Sequence, residues 1–267
     1  KKEISKVSIL VMGGSGTGKS TLVNSVFKKK IAEAGAGRPT TKGIQEYNNS
    51  YLIVYDSEGY ESGAENQQRY SELIYNFLQC KNENPLTAVH LGWYCLSAPS
   101  ARFPELDAEL VKKTSKFMPL AVVLTKIDLA TEEQVAALTK AIKEQCPAIS
   151  IFLSTTENIP LENDLNTLEK WSKNHLPEMQ RKSFISVSNR NIDEKENEGD
   201  KIIHKHVAAA FATGFLPIPL SDAPALIVNQ TDLLGRLCVL WDMEHMEQVV
   251  STSLAGSGIM TLIGKSL

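Results

Sequence analysis

Four glycines stand among small polar residues in the segment "GGSGTGKS" (13–20), directly after the apolar run "VSILVM". Glycine loses more conformational entropy on folding than any other residue, so such a cluster indicates a backbone that must turn closely around a ligand. Gly13, Gly18, Lys19 and Ser20 match the pattern G-x-x-x-x-G-K-[ST] between a predicted strand and a predicted helix. The pattern predicts a site for the phosphates of a nucleoside triphosphate.

The residue types in this segment suit that chemistry. Backbone N–H groups of residues 14–20 would surround the phosphates, and the N-terminus of the following helix would add its dipole. We expect Lys19 to lie against the β and γ phosphates and the Ser20 hydroxyl to bind Mg²⁺. The expected nucleotide-binding residues of this segment are Gly13, Gly14, Ser15, Gly16, Thr17, Gly18, Lys19, Ser20 and Thr21.

A second motif concerns the base. In "VVLTKIDLA" an apolar run ends at Thr125, Lys126 and Asp128, and this stretch resembles the T/N-K-x-D element of the P-loop GTPases. A carboxylate can accept hydrogen bonds from both the ring N–H and the amino group of guanine, a pair of donors that adenine does not present together. The Lys126 stem would lie along the base and tie back to the phosphate loop. The predicted ligands are therefore GTP and GDP.

Further stretches resemble the switch segments of that family. "YDSEGY" matches D-x-x-G, which implies that Asp56 holds a water bound to Mg²⁺ and that the Gly59 N–H contacts the γ phosphate in a second switch. "GRPTTKGIQEY" resembles the first switch of the Era-like GTPases, in which a threonine binds Mg²⁺ and senses the γ phosphate. We assign that role to Thr41, with Thr40 as the alternative.

The stretch "FLSTTEN" stands where the family has a loop whose backbone reads the guanine oxygen, and Ser154 and Thr155 match it best. The resemblance covers about residues 5–180 and is to Era-like P-loop GTPases of the TRAFAC class, with a weaker resemblance to dynamin-like and immunity-related GTPases. It implies Mg²⁺-dependent hydrolysis of GTP. The implied catalytic residues are Lys19, Thr41 and Gly59, and the implied metal ligands are Ser20, Thr41 and Asp56.

The residue after D-x-x-G departs from the Ras-like pattern. Ras-like members have a glutamine there that positions the attacking water, and this chain has Tyr60. We therefore expect slow intrinsic hydrolysis, with the missing group supplied by K⁺, a residue of the first switch, a second protomer or a partner. Arg38 is one candidate from the first switch, and a solvated loop arginine is the alternative.

The phosphate and base motifs need a scaffold, and the hydrophobic pattern predicts one. Short apolar runs at 7–12, 51–56, 88–96, 120–125 and 149–154 alternate with helical segments. Runs this apolar indicate strands buried on both faces, and hence an α/β P-loop fold of three layers with a mostly parallel central sheet. One helix is predicted to begin after Thr131, which forms a capping box with Gln134.

Composition sets limits on the partners. The 267 residues carry a net charge of −3 with a pI near 6.0, which gives no indication of nucleic-acid binding. The four cysteines lack CxxC spacing, so we expect buried thiols in a reducing compartment and no structural metal site. The expected location is the cytoplasm.

Composition also changes along the chain. The polar composition of 186–200 predicts a linker. We therefore expect a nucleotide-binding domain at 1–199, with this linker at its end, and an apolar helical domain at 200–267. Three helices are predicted after residue 200, the last over 246–264. The stretch "AAAFATGFLPIPLSDAPALIVNQTDLLGRLCVLW" resembles an Ala-rich helical domain found in one bacterial group of these GTPases. Because the chain stops within apolar residues, we expect this domain to be truncated.

Three interpretations of 201–267 remain open. The helices can pack on the nucleotide-binding domain, mediate self-association through exposed apolar faces, or contact a protein partner or the surface of the inner membrane. Separately, a homodimer across the nucleotide face is a possible partner arrangement. The function classes follow: a guanine-nucleotide switch, with a dynamin-like self-assembling GTPase or a nucleotide-gated scaffold with negligible turnover as alternatives.

Overall fold

The computed structural model describes residues 5–27, 38–41, 43–49, 51–61, 63–155, 162–188, 192–214, 222–241 and 243. The chain forms two compact units, one of residues 1–184 with 188–190 and one of residues 185–187 with 191–267. The first unit contains every residue that the motifs single out.

The first unit is built on a seven-stranded sheet with the order β2-β3-β4-β1-β5-β6-β7. Its strands are β1 (Val7–Gly13), β2 (Arg38–Thr41), β3 (Ile44–Asn48), β4 (Leu52–Ser57), β5 (Leu91–Ser97), β6 (Leu120–Thr125) and β7 (Ser150–Leu153). The pairs β4–β1, β1–β5, β5–β6 and β6–β7 are parallel, whereas the pairs β2–β3 and β3–β4 are antiparallel. The predicted α/β fold with a mostly parallel sheet is confirmed.

Helices cover both faces of this sheet, as its uniformly buried central strands require. They are α1 (Lys19–Val26), α2 (Ala64–Asn82), α3 (Glu105–Thr114), α4 (Glu132–Gln145), α5 (Glu162–Asn174) and α6 (Glu178–Val187). On one face the buried Trp93 stacks on Phe27, and its indole N–H donates to the Ser172 hydroxyl at 3.2 Å. On the other, Tyr94 joins the cluster of α2 and α3.

Two details differ from the expectations. Residues 38–48, expected only as a switch segment, contribute the antiparallel pair β2–β3, because Ile44 is buried in the core and fixes the register of β3. Cys95, Cys146 and Cys238 are buried, whereas Cys80 is exposed on α2, so the expectation of four buried thiols is wrong for that residue.

The second unit contains α7 (Ile192–Gly214) and α8 (Asp222–Leu240). The buried His206 joins them, since its Nε2 lies 3.0 Å from Asp232 Oδ2 and its carbonyl accepts from Asn229 Nδ2 at 2.9 Å. Helix α7 runs through residue 200, where the composition predicts a domain boundary, and includes most of the stretch expected to be a linker. The third expected helix, 246–264, lies outside the described residues. Among the helices described, none combines the length and apolarity that crossing a bilayer requires.

The capping box at the start of α4 is present as predicted, with Thr131 Oγ1 accepting from Gln134 N at 3.3 Å and Gln134 Oε1 accepting from Thr131 N at 2.9 Å. We expect Thr131→Ala to lower the free energy of unfolding by about 1 kcal/mol, because it leaves an orphan amide at the helix start. Urea unfolding measures this, with the exposed Lys140→Ala as a control that stays within about 0.5 kcal/mol of wild type. Equal stability of both variants would contradict the assignment.

Candidate functional site

The loop between β1 and α1 carries the first group of predicted residues. Gly13 has φ 135° and Gly18, at the N-cap of α1, has φ 85°. Residues other than glycine rarely adopt these backbone conformations. Gly18 provides no side-chain cap, so the amides of the first helical turn are not covered by a capping group. The helix therefore presents its positive end to the loop, as an anion site requires.

Side chains at and just after the end of β6 bind the outward-facing carbonyls of this loop. Lys126 Nζ donates to the Gly16 carbonyl at 2.7 Å, and Thr125 Oγ1 donates to the Thr17 carbonyl at 2.6 Å. The predicted tie between Lys126 and the phosphate loop is confirmed. Since these carbonyls face outward, the loop amides are turned toward the interior of the loop.

Lys19 lies within the loop, with 7% of its surface exposed. Its Nζ donates to the Gly13 carbonyl at 3.2 Å and to the Gly14 carbonyl at 2.8 Å. Burial lowers the pKa of the Lys19 ammonium, and the nearby Asp56 carboxylate opposes that change. A phosphate beside Nζ would favour the charged form further, so the site is suited to an anion.

Ser20 and Asp56 form the expected metal position. Ser20 Oγ donates to Asp56 Oδ2 at 2.9 Å, and in the described part of the chain the buried Oδ1 of Asp56 has no hydrogen-bond partner. Burial raises the pKa of the Asp56 carboxyl, and the Ser20 hydrogen bond and Lys19 oppose that change. A buried carboxylate oxygen without a donor, beside a hydroxyl, is an oxygen set that fits Mg²⁺.

The first-switch residues lie on β2. The Thr41 backbone pairs with Ile44 across the β2–β3 turn, after an irregularity in register between Pro39 and Thr41. The side chains of Arg38, Thr40 and Thr41 lie outside the described residues. Their roles therefore stay predictions.

The second-switch segment lies directly on the phosphate loop. Gly59 has φ 83°, and a Cβ atom there would lie 2.7 Å from Lys19 Nζ and 2.8 Å from the Ser15 nitrogen. The Ser15 N–H donates to the Tyr60 carbonyl at 2.9 Å. Only glycine permits this approach, so Gly59 is brought to the phosphate loop as the D-x-x-G pattern implies.

Tyr60 does not point into the nucleotide cleft. Its hydroxyl donates to Asp107 Oδ1 on α3 at 2.5 Å, and its ring lies 5.2 Å from that of Tyr70. The Tyr70 hydroxyl accepts from the Gly13 N–H at 3.0 Å and is 2.6 Å from Ser57 Oγ. The sequence analysis missed Tyr70 and Asp107, which no motif marks, although a lone acidic residue among the buried positions of an amphipathic helix is a usable signal.

The residues predicted to recognise the base lie near one another at the ends of β6 and β7. Asp128 lies in a single 3₁₀ turn, Ile127–Leu129, that follows β6, and it is partly exposed. The Ile127 N–H donates to the Ser154 carbonyl at 3.3 Å, and the Ser154 N–H donates to the Leu124 carbonyl at 2.8 Å. Thr155 follows Ser154, while residues 156–158 of that motif lie outside the described residues. The two base-site motifs are thus adjacent in space.

A cleft of about 460 Å³ lies over the phosphate loop. Lys19, Ser20 and Thr21 line it together with Asp56 and Lys126, so most of the predicted loop and metal residues share one cavity. The sequence analysis did not identify two further lining residues, Gln45 and Tyr47 on β3. The sequence feature that could have identified them is the alternation in "IQEYN". The buried Ile44 faces the core, and the residues at 45 and 47 face the opposite side of the strand.

Residues 8–126 match the family model described as "50S ribosome-binding GTPase". The chain is 23% identical over 154 residues to the probable GTP-binding protein EngB of Aquifex aeolicus, covering 56% of this chain and 81% of that protein. It is 29% identical over 155 residues to mouse and human septin-9, covering 48% of this chain and 26% of septin-9.

Among solved structures, a probable GTP-binding protein engB is similar with a TM-score of 0.48 and 19% identity, over 66% of this chain and 99% of that one. A septin GTPase domain from Chlamydomonas reinhardtii is similar with a TM-score of 0.40 and 18% identity, over 54% of this chain and 62% of that one. The residues matched by the family model lie within the unit that carries the cleft.

The buried Asp107 predicts a pH effect on stability. Burial raises the pKa of its carboxyl above the usual 3.8, although the Tyr60 hydroxyl opposes the change. Because the pKa of the Asp107 carboxyl is higher in the folded state than in the unfolded state, the native state binds this proton more tightly. Protonation therefore stabilises the native state, and this contribution is lost as the pH rises through the folded pKa. We expect Asp107→Asn, which cannot ionise, to gain stability relative to wild type as the pH increases from 4 to 7.

Urea unfolding of both proteins across that pH range measures the difference. Asp200→Asn, at an exposed position of α7, is the matched control and should follow wild type at every pH. Parallel pH profiles for wild type and Asp107→Asn would show that the carboxyl does not carry the burial cost.

Proposed function

We propose that this protein is a guanine-nucleotide switch that hydrolyses GTP to GDP and phosphate, on the premise that its N-terminal unit is a P-loop GTPase domain of the TRAFAC type. The observation that carries the proposal is the convergence of Lys19, the Ser20–Asp56 pair and Lys126 on one cleft. Within the TRAFAC class, the first-switch pattern favours an Era-like GTPase of bacterial type. The chain spans about a quarter of the length of septin-9.

The phosphate site binds GTP and promotes its hydrolysis through electrostatic interactions. Lys19 and the amides of the loop bind the β and γ phosphates, and their fixed positions favour the charge that develops as the terminal phosphoryl group departs. Ser20, Asp56 and Thr41 would hold Mg²⁺, which neutralises phosphate charge when bound. A water molecule attacks the γ phosphorus directly, and no covalent intermediate with the protein forms.

Guanine selection is assigned to the turn after β6. The Asp128 carboxylate accepts the two guanine donors, Lys126 covers the base with its stem, and the backbone at Ser154 and Thr155 reads the guanine oxygen. The hydrogen bond that joins Lys126 to the phosphate loop supports this assignment, because it limits the distance between the base and phosphate sites.

The switching element is the segment at Gly59 and Tyr60. GTP would order this segment and that at Thr41, and hydrolysis would release both. The contact of Tyr60 with Asp107 links the second switch to α3 and gives nucleotide state a route to the outer surface of the domain. We propose that the output acts on the C-terminal helices in the cytoplasm or at the periphery of the inner membrane. We expect slow hydrolysis by the isolated protein, since the second switch lacks the glutamine that orients water in Ras-like members.

A second candidate function is that of a dynamin-like GTPase that assembles with itself. Ile203, Val207 and Phe211 follow one another at four-residue spacing on α7 and are 39%, 47% and 66% exposed. Residues at this spacing form one helix face, and an apolar face in water favours association. The face supports contact with a second copy of the chain, and nucleotide-gated scaffolding with negligible turnover is the remaining alternative.

The base site is tested by Asp128→Asn. Replacing the carboxylate with an amide places donors against the guanine donors, so we expect GTP affinity to fall at least about tenfold while XTP binding improves. Equilibrium titration with fluorescent GTP and XTP analogues measures both affinities, with Lys19→Ala as a variant that loses binding to either nucleotide. Unchanged GTP affinity in Asp128→Asn would refute the base assignment.

Self-association is tested by Phe211→Asp, with Lys205→Asp on the opposite side of α7 as the matched control. If the apolar face mediates assembly, GTP turnover per molecule rises with protein concentration in wild type and in Lys205→Asp, and stays flat in Phe211→Asp. Turnover is measured in K⁺ and in Na⁺ across a wide concentration range. Flat, low turnover in all three proteins would remove the assembly candidate and leave a switch that awaits a partner.

A further inference from the structure

Gln45 lies beside the metal position of the cleft. It is on β3, whose antiparallel register with β4 sets Gln45 directly opposite Asp56. Residues that face each other in such a pair share one side of the sheet, with their Cβ atoms about 5 Å apart. Gln45 also lines the cleft together with Lys19 and Ser20. Its carboxamide is therefore close to where the γ phosphate of GTP would lie.

Tyr47 fixes the carboxamide of Gln45. Two residues apart on β3, the side chains share the face that lines the cleft, and the Tyr47 hydroxyl donates to Gln45 Oε1 at 2.8 Å. A carboxamide oxygen has two lone pairs and the nitrogen carries two hydrogens. The contact with Tyr47 uses one lone pair, which leaves one acceptor and the amino group with which to bind a water molecule and a phosphate oxygen together.

Neither Tyr60 nor Glu58 of the second switch is suited to contact the attacking water. Tyr60, at the position where Ras-like GTPases have glutamine, directs its hydroxyl to Asp107 instead of the cleft. Glu58 lines the cleft as well, but it is exposed, and its carboxylate would repel the γ phosphate. Among the described lining residues, Gln45 has the chemistry that Tyr60 lacks.

We infer that Gln45 contacts the attacking water in GTP hydrolysis and that Tyr47 is its positioning residue, an inference that rests on the proposed GTPase function. Gln45 Oε1 accepts a hydrogen bond from the water, and Nε2 donates to a γ-phosphate oxygen. The water oxygen bonds to the γ phosphorus, and the bond from that phosphorus to the β–γ bridging oxygen breaks with its electron pair remaining on GDP. The water protons pass to phosphate and solvent, so Gln45 makes and breaks no covalent bond.

Turnover is compared among wild type, Gln45→Ala, Gln45→Glu and Gln230→Ala at saturating GTP and Mg²⁺. Gln230 is an exposed glutamine of α8 and serves as the matched control. We expect kcat to fall about a hundredfold in both Gln45 variants, because the lost contacts stabilise the transition state. GDP affinity should change less than about twofold, because Gln45 contacts the water and the γ phosphate and GDP has no γ phosphate. Gln45→Glu keeps the side-chain shape, so it decides the question if Gln45→Ala does not fold. Tyr47→Phe should lower kcat by a smaller factor.

A second readout does not depend on turnover. GDP with aluminium fluoride imitates the transferring phosphoryl group, and a fluorescent GDP analogue reports its binding. Wild type and Gln230→Ala should bind GDP more tightly when aluminium fluoride is present, and the Gln45 variants should lose that gain. Retention of the gain together with unchanged kcat in the Gln45 variants would overturn the inference, as would recovery of kcat at higher Mg²⁺, which would assign Gln45 to the metal.

Failure of the proposed function is visible in wild type alone. If wild type does not hydrolyse GTP at any concentration, both the GTPase function and the role of Gln45 are refuted. If wild type hydrolyses GTP and the Gln45 variants match it, only the role of Gln45 is refuted.

Discussion

The phosphate loop depends on hydrogen bonds that hold its carbonyls from outside. Each peptide unit directs its N–H and C=O groups in nearly opposite directions, so a carbonyl bound outside the loop turns the adjoining amide inward. Lys126 binds the Gly16 carbonyl and Thr125 binds the Thr17 carbonyl from outside, whereas Lys19 donates to the Gly13 and Gly14 carbonyls from within the loop. Since Thr125 and Lys126 come from the end of β6, the strand order also determines where the base-recognition turn lies relative to the phosphates.

Features governed by local rules could be predicted from the sequence. The phosphate loop, the capping box at Thr131 and the buried parallel strands each follow from residue spacing within a short window. Contacts between distant residues could not be predicted in this way. The bonds of Tyr60 with Asp107 and of Gly13 with Tyr70 join elements that only the packed sheet brings together.

The stretch 186–200 shows that composition alone does not predict secondary structure. Its many charged residues distinguish an exposed segment from a buried one, but they do not distinguish a linker from an exposed helix. Glutamate and lysine are strong helix formers, and α7 accordingly begins at Ile192 and continues without a break past residue 200. The apolar residues beyond residue 200 therefore continue the same helix. Composition changed at this point, while secondary structure did not.

The environment of Tyr60 indicates a division of tasks between the two switch regions. In the proposed mechanism the Tyr60 side chain, bound to α3, transmits movement of the second switch, and it therefore cannot also contact a water molecule in the cleft. A water-contacting group on β3 is better preorganised than one on a loop, because ladder hydrogen bonds fix its backbone and Tyr47 fixes its amide. The proposed arrangement separates signal transmission from chemistry, so that a mutation could change either one without loss of the other.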